Sequence, residues 1–63
     1  MKKVLILTDW KWVPGSTKEM MYKDDKGNWF VGKASNATIG KTYIVELSEG
    51  QSADGYYHII KFC

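Results

Sequence analysis

The sequence predicts a mainly β protein: a single small barrel of five strands, closed or partly open, occupying residues 1–63. Three observations lead there. The run from Gly27 to Phe62 reads as aromatic-rich strand segments divided by glycine-centred turns. No stretch carries the apolar period of a long helix. The turns are short and polar, which favours closure, because a barrel hides the strand edges that a small open sheet would expose.

Each element has its own reason. Lys3 to Leu7 is rich in Val, Leu and Ile and reads as a buried first strand, with Trp10, Trp12 and Val13 extending it through a bend. Pro14-Gly15-Ser16 is the clearest break in the chain. Glu19 to Lys23 is ambiguous: Ser16 and Glu19 have capping-box spacing, and Met20 and Met21 tolerate a helix. A strand is preferred, since Asp24-Asp25-Lys26-Gly27-Asn28 reads as a hairpin turn into Trp29-Phe30-Val31. Thr42 to Leu47 alternates, with Tyr43, Val45 and Leu47 on one face and Thr42 and Glu46 on the other. Ile44 breaks the alternation. Gly50 to Gly55 is a polar turn, and Tyr56 to Phe62 is the closing strand.

Size makes every large apolar residue count. A domain of 63 residues buries only ~60% of the surface its unfolded chain exposes. The hydrophobic fraction of 44% weighs against disorder, and three Trp, four Tyr and two Phe supply large burial per residue. One cysteine, Cys63, excludes an internal disulfide framework, and one histidine excludes the usual Cys/His zinc site, so no metal or cofactor is expected. Packing alone, or a partner subunit in a homodimer, must hold the fold. The apolar run Val4 to Leu7 is too short for a secretory h-region, and no segment approaches a membrane span, so the expected setting is the cytoplasm without a membrane.

The segments GNWFVGKAS, GKTYIVEL and GYYHIIKF, Gly27 to Phe62, resemble in their order the later strands of OB-fold nucleic-acid-binding domains. The connection Ala34 to Lys41 departs from that family, being too short and glycine-bounded for the helix often found there. An SH3-like barrel is the alternative. The resemblance implies a surface on which aromatics stack on the bases of a single strand while lysines follow its backbone.

Candidate stackers are Trp10, Trp12, Trp29, Tyr56, Tyr22 and Phe30, with Lys11, Lys23, Lys33, Lys41 and Lys61 interleaved. Alternation puts Trp29, Val31 and Lys33 on one strand face. Trp10 and Trp12 flank Lys11 and point together, so both belong to the core or both to a platform. The same residues equally suit a fully apolar interior or a protein interface. Nine lysines oppose seven acids, a net charge of +2, with no arginine. Bidentate reading of guanine or phosphate is therefore excluded, and weak, salt-sensitive, sequence-tolerant binding of single-stranded DNA or RNA is what the composition supports. A non-catalytic protein–protein interaction module is the alternative function.

Enzyme-like signals are few. Ser35 to Thr42 misses the phosphate-loop pattern at its first position, and the TYIVEL that follows is β-patterned where a helix is needed. His58 stands in a strand with no neighbouring Ser, Cys or carboxylate that suggests a nucleophile pair. Asp24 and Asp25 are assigned to a turn, and Cys63 to an exposed thiol. The chain is not expected to be an enzyme.

Overall fold

The computed structural model describes residues 1–63. Six strands form one sheet: β1 (Lys2–Ile6), β2 (Asp9–Trp12), β3 (Glu19–Lys23), β4 (Trp29–Lys33), β5 (Thr42–Leu47) and β6 (Tyr57–Phe62). Their order across the sheet is β1-β5-β6-β4-β3-β2. Neighbours are antiparallel except β4 and β6, which run parallel with Phe30 beside Tyr57 and Val31 beside His58. The Cα atoms span 26 × 24 × 20 Å, far from a flat slab, because the sheet curls into a half-barrel.

The mainly β expectation holds, but five strands become six. The bent first strand divides at Leu7-Thr8, and its halves lie at opposite edges of the sheet. Leu7 N–H donates to Lys41 C=O at 3.0 Å, whereas Thr8 N–H donates to Lys23 C=O at 2.9 Å. One peptide step thus passes the backbone from the β5 side to the β3 side. The ambiguous Glu19 to Lys23 is a strand. Ser16 does accept from the N–H groups of Lys18 and Glu19, at 3.1 and 3.0 Å, but the capping contact closes a turn that opens a strand.

The core lies inside the curl. Leu5, Leu7, Met20, Tyr22, Phe30, Val45, Leu47 and Ile59 form one buried cluster, with Tyr43, Tyr57, Phe62 and Ala37 packed against it. Tyr22 and Phe30 are therefore core residues, not base-stackers. β3 and β4 lie in the interior of the sheet, so their inward side chains meet the opposite wall. Tyr22 is held at both ends: its ring meets Phe62 edge-on at 5.5 Å, and its hydroxyl donates to Lys33 C=O at 2.6 Å. Gly32 lies under Ile59, whose Cβ would stand 3.1 Å from any added Cβ. A side chain there would prise β4 from β6.

The alternation read for β5 is observed, with Val45 and Leu47 buried and Tyr43 half-buried. Ile44, which breaks the alternation in the sequence, points outward and is 50% exposed. On β6, Leu47 pairs with Ile59 but Glu46 with Lys61, leaving Ile60 as a bulge residue. The extra residue turns Phe62 inward to meet Tyr22 and Tyr43. Two substitutions check these faces by chemical denaturation. Ile59→Ala is expected to cost about 2–5 kcal/mol, as for a buried Ile, and Ile44→Ala about 0.5 kcal/mol or less, as at the surface. Equal losses would contradict the assigned faces.

The 24–28 turn is held by a buried carboxylate. Asp24 Oδ1 accepts from the N–H groups of Lys26 (2.9 Å) and Asn28 (2.8 Å), and Lys3 Nζ stands 3.4 Å from Oδ2. Gly27, at φ +85°, supplies the left-handed step the turn needs. The turn role assigned to Asp24 is thereby observed. Residues 34–41 form no helix, and β5 follows the Gly40 turn directly, so the helix of a phosphate-binding loop is absent.

Candidate functional site

Outside the core, the expected site residues separate into three places. The first is the outer face of β2, β3 and β4. Register puts Lys11 beside Met21, Met21 beside Val31 and Val31 beside His58 in one row, with Asp9, Lys23 and Trp29 in the next. Lys11 Nζ lies 4.7 Å from the centre of the Trp29 ring and Lys23 Nζ lies 5.8 Å from it. To reach Trp29 from β2, the Lys11 stem must cross β3. That crossing explains why Met21 and Val31 are buried on an outward face, apart from the main core. The shared face read for Trp29, Val31 and Lys33 is observed, with Val31 as its buried floor. Lys23 is more central than its place in the sequence indicates, because only the β3–β4 register puts it beside Trp29.

Trp29 also opens on a cleft of about 550 Å³ between the 24–28 turn and the 48–56 loop. Tyr56 and Tyr57 line the same cleft, with Asn28 and Gln51. Trp29 and Tyr56, separated by most of β4 to β6 in sequence, are thus brought together. The 48–56 loop has its own clasp. Asp54 accepts from Tyr56 N–H at 2.9 Å and stands 2.9 Å from His58 Nε2. The Tyr56 N–H and then the His58 ring hold the Asp54 carboxyl below the usual carboxylate range. Ser48 Oγ accepts from the His58 backbone N–H at 3.0 Å and donates to Gly50 C=O at 2.9 Å.

His58 therefore does have a carboxylate partner, which corrects the sequence reading. The i, i+4 spacing closes because Gly55 turns the chain back at φ +84°. Ser48 faces the backbone, not the imidazole, so the three side chains form a loop clasp without a nucleophile–base contact.

The second place is a cleft of about 580 Å³ lined by Trp10, Trp12, Met20 and Ala34 to Ala37. Trp10 and Trp12 do point together, on the same face of the sheet as Tyr22 and Met20. They remain 39% and 48% exposed because β2 is an edge strand with no opposing wall above it. They stand on the opposite side of the sheet from Lys11 and Trp29.

The third place is a smaller cleft of about 270 Å³ between Lys33 and Lys61, floored by Ile59 and Phe62. Lys41 is exposed in the turn before β5 and lines none of these three clefts. Cys63 is exposed and unpaired. No group of three or more His, Cys, Asp and Glu side chains is gathered as for a metal, and no helix is long and apolar enough to cross a membrane. Set against known proteins, the chain matches no family model, no curated protein and no solved structure.

Proposed function

We propose that the chain is a non-catalytic binding module that holds single-stranded DNA or RNA across the outer face of β2–β4. The observation that carries this reading is Trp29, flanked by the Lys11 and Lys23 ammonium groups and opening on the cleft it shares with Tyr56. A nucleotide offers what this arrangement takes: a flat base for the indole and a phosphate for the lysines. At the surface each cation–π contact is worth about 0.5–1 kcal/mol, so a lysine exchanges the ring for a phosphate at small cost. Lys33 extends the basic track along β4, and Tyr56 supplies a second aromatic at the cleft. Without arginine's planar fork, contacts to base edges fall to lysines acting as point charges and to neutral groups such as Asn28 and Gln51, which suits binding with little sequence preference.

The strand order supports an OB-like reading of the fold. Counting β1 and β2 as halves of one bent strand leaves five strands, ordered first, second, third, fifth, fourth and back to first. OB barrels are five-stranded and partly open, and bind oligonucleotides on the second and third strands and on the loops that join the first strand to the second and the fourth to the fifth. In this chain those correspond to β3 and β4, residues 13–18 and residues 48–56. Trp29 and Tyr56 fall within them, which is why the OB-like reading is preferred to the SH3-like one. The proposed setting is the reducing cytoplasm, which suits an exposed, unpaired Cys63.

One observation favours a second reading. The Trp10–Trp12 cleft is apolar and lies away from the lysine track, as an anchor pocket for a partner protein would. Two variants separate the readings in fluorescence-anisotropy titrations with a labelled short single strand. Trp29→Ala is expected to weaken binding roughly 5- to 150-fold, the loss of a stacked base worth ~1–3 kcal/mol, with little change in unfolding midpoint. Trp12→Ala is expected to leave that affinity intact. Unchanged binding by Trp29→Ala, or loss of binding by Trp12→Ala, would overturn the assignment.

A further inference from the structure

The outer face of β1 and β5 carries a patch that the nucleic-acid reading does not use. Val4, Ile44 and Ile6 are 59%, 50% and 39% exposed, and Ile60 on the neighbouring β6 bulge is 62% exposed. Val4 and Ile44 are direct cross-strand partners, so the patch is contiguous and not a scatter of single residues. β-branched residues on a strand surface of this kind serve packing, and nothing in the chain covers them.

We propose that this face pairs with a second copy of the chain in a two-fold symmetric dimer, sheet against sheet. The register of β1 against β5 is what selects a second copy as the occupant. Lys2 lies beside Glu46, Val4 beside Ile44 and Ile6 beside Thr42. A two-fold axis along the strands, between β1 and β5, exchanges the members of each pair. It sets Lys2 of one copy against Glu46 of the other, and Val4 against Ile44, twice over. The face is self-complementary in charge and in apolar content. An axis over β5 would instead bring Lys2 against Lys61, which lies on the far side of Glu46.

The Glu46 carboxylate is ionised for this role. The Met1 ammonium, 2.6 Å from Oε2, lowers its pKa, with smaller contributions from Lys2 and Lys61. Two curled sheets meeting in this way would cross at about 30°, as aligned sheets do. The Trp29 face lies on the other half of the sheet, over β2–β4, and stays open in both copies.

Sedimentation equilibrium of the full chain from micromolar to millimolar protein tests this. The mass is expected to rise from 7.2 kDa towards twice that value. Ile44→Lys and, separately, Val4→Lys should remain monomeric over the same range; both positions are exposed, so circular dichroism should report an intact fold. Lys2→Glu and Glu46→Lys should each weaken association, and the two together should restore it. A wild-type mass of one chain throughout overturns the proposal, as does unchanged association of a folded Ile44→Lys or Val4→Lys variant. Failure of the double charge exchange to restore association overturns the proposed register.

Discussion

Tyr22→Ala is expected to remove at least about a third of the stability of the fold. Tyr22 is 1% exposed, and its ring joins β3 to β6 through Phe62, while its hydroxyl ties β3 to the end of β4 and to Ser35 at 2.9 Å. Removing a buried aromatic costs about 3–5 kcal/mol. A chain of this length has roughly 3–9 kcal/mol in total at ordinary stabilities per residue. Tyr22→Phe separates ring from hydroxyl. It leaves the Lys33 carbonyl without its partner and should cost about 1–2 kcal/mol, a fall in midpoint of roughly 4–16 °C at this size. Thermal and urea melts followed by circular dichroism check both. A Tyr22→Ala melt within a few degrees of wild type would mean that the ring does not bridge the two walls.

The second large effect is expected at Asp24. Its side chain is 1% exposed, and burial alone would raise its pKa. The hydrogen bonds from Asn28, the Lys26 N–H and Lys3 outweigh that, and the carboxyl is held below its ordinary value of 3.8. A carboxylate whose pKa is lower in the folded chain than in the unfolded one stabilises the fold at every pH above the unfolded value. That contribution is lost as pH falls from about 4 through the folded pKa. Asp24→Ala strands the backbone N–H groups of Lys26 and Asn28, the Asn28 side-chain amide and the Lys3 ammonium, and should cost about 2–4 kcal/mol at neutral pH. Asp24→Asn keeps an acceptor for the turn, loses less, and should flatten the acid limb of the stability profile. Urea midpoints measured between neutral pH and pH about 2 give the comparison. An acid limb as steep in Asp24→Asn as in wild type would place the sensitivity elsewhere.

What could be read from the sequence was local. The β3–β4 hairpin was legible because Asp24 to Asn28 combines a turn carboxylate with a glycine in the required conformation. β5 was legible because Tyr43, Val45 and Leu47 alternate against a polar face. Ile44 spoiled that pattern only in appearance, since it belongs to a patch on the outside. What escaped was non-local. Alternation divides a strand into two faces but does not say which one the curl encloses. Tyr22 and Trp10 are cross-strand neighbours on the same face, yet one is sealed and the other open, because only β3 has a wall above it.

The same limit hid part of the candidate site. Trp29 and Lys33 were recognised from their spacing within one strand. Lys23 needed the β3–β4 register, and the approach of Trp29 to Tyr56 needed the parallel meeting of β4 with β6. Lys41 matched the basic composition but stands apart from the aromatics. The His58–Asp54 contact depends on one glycine turning a loop back on itself. Turn chemistry and strand face were thus readable, whereas curl, edge position and loop closure were not.

The central claim is that Trp29 and its lysines bind a single strand. The most direct measurement is a titration of the wild-type chain with short single-stranded DNA and RNA, following tryptophan fluorescence at several salt concentrations. The expected result is quenching on binding, with an affinity that falls as salt rises because lysines displace the counterions of the phosphates. No quenching by either polymer at low salt, or an affinity indifferent to salt, would contradict it.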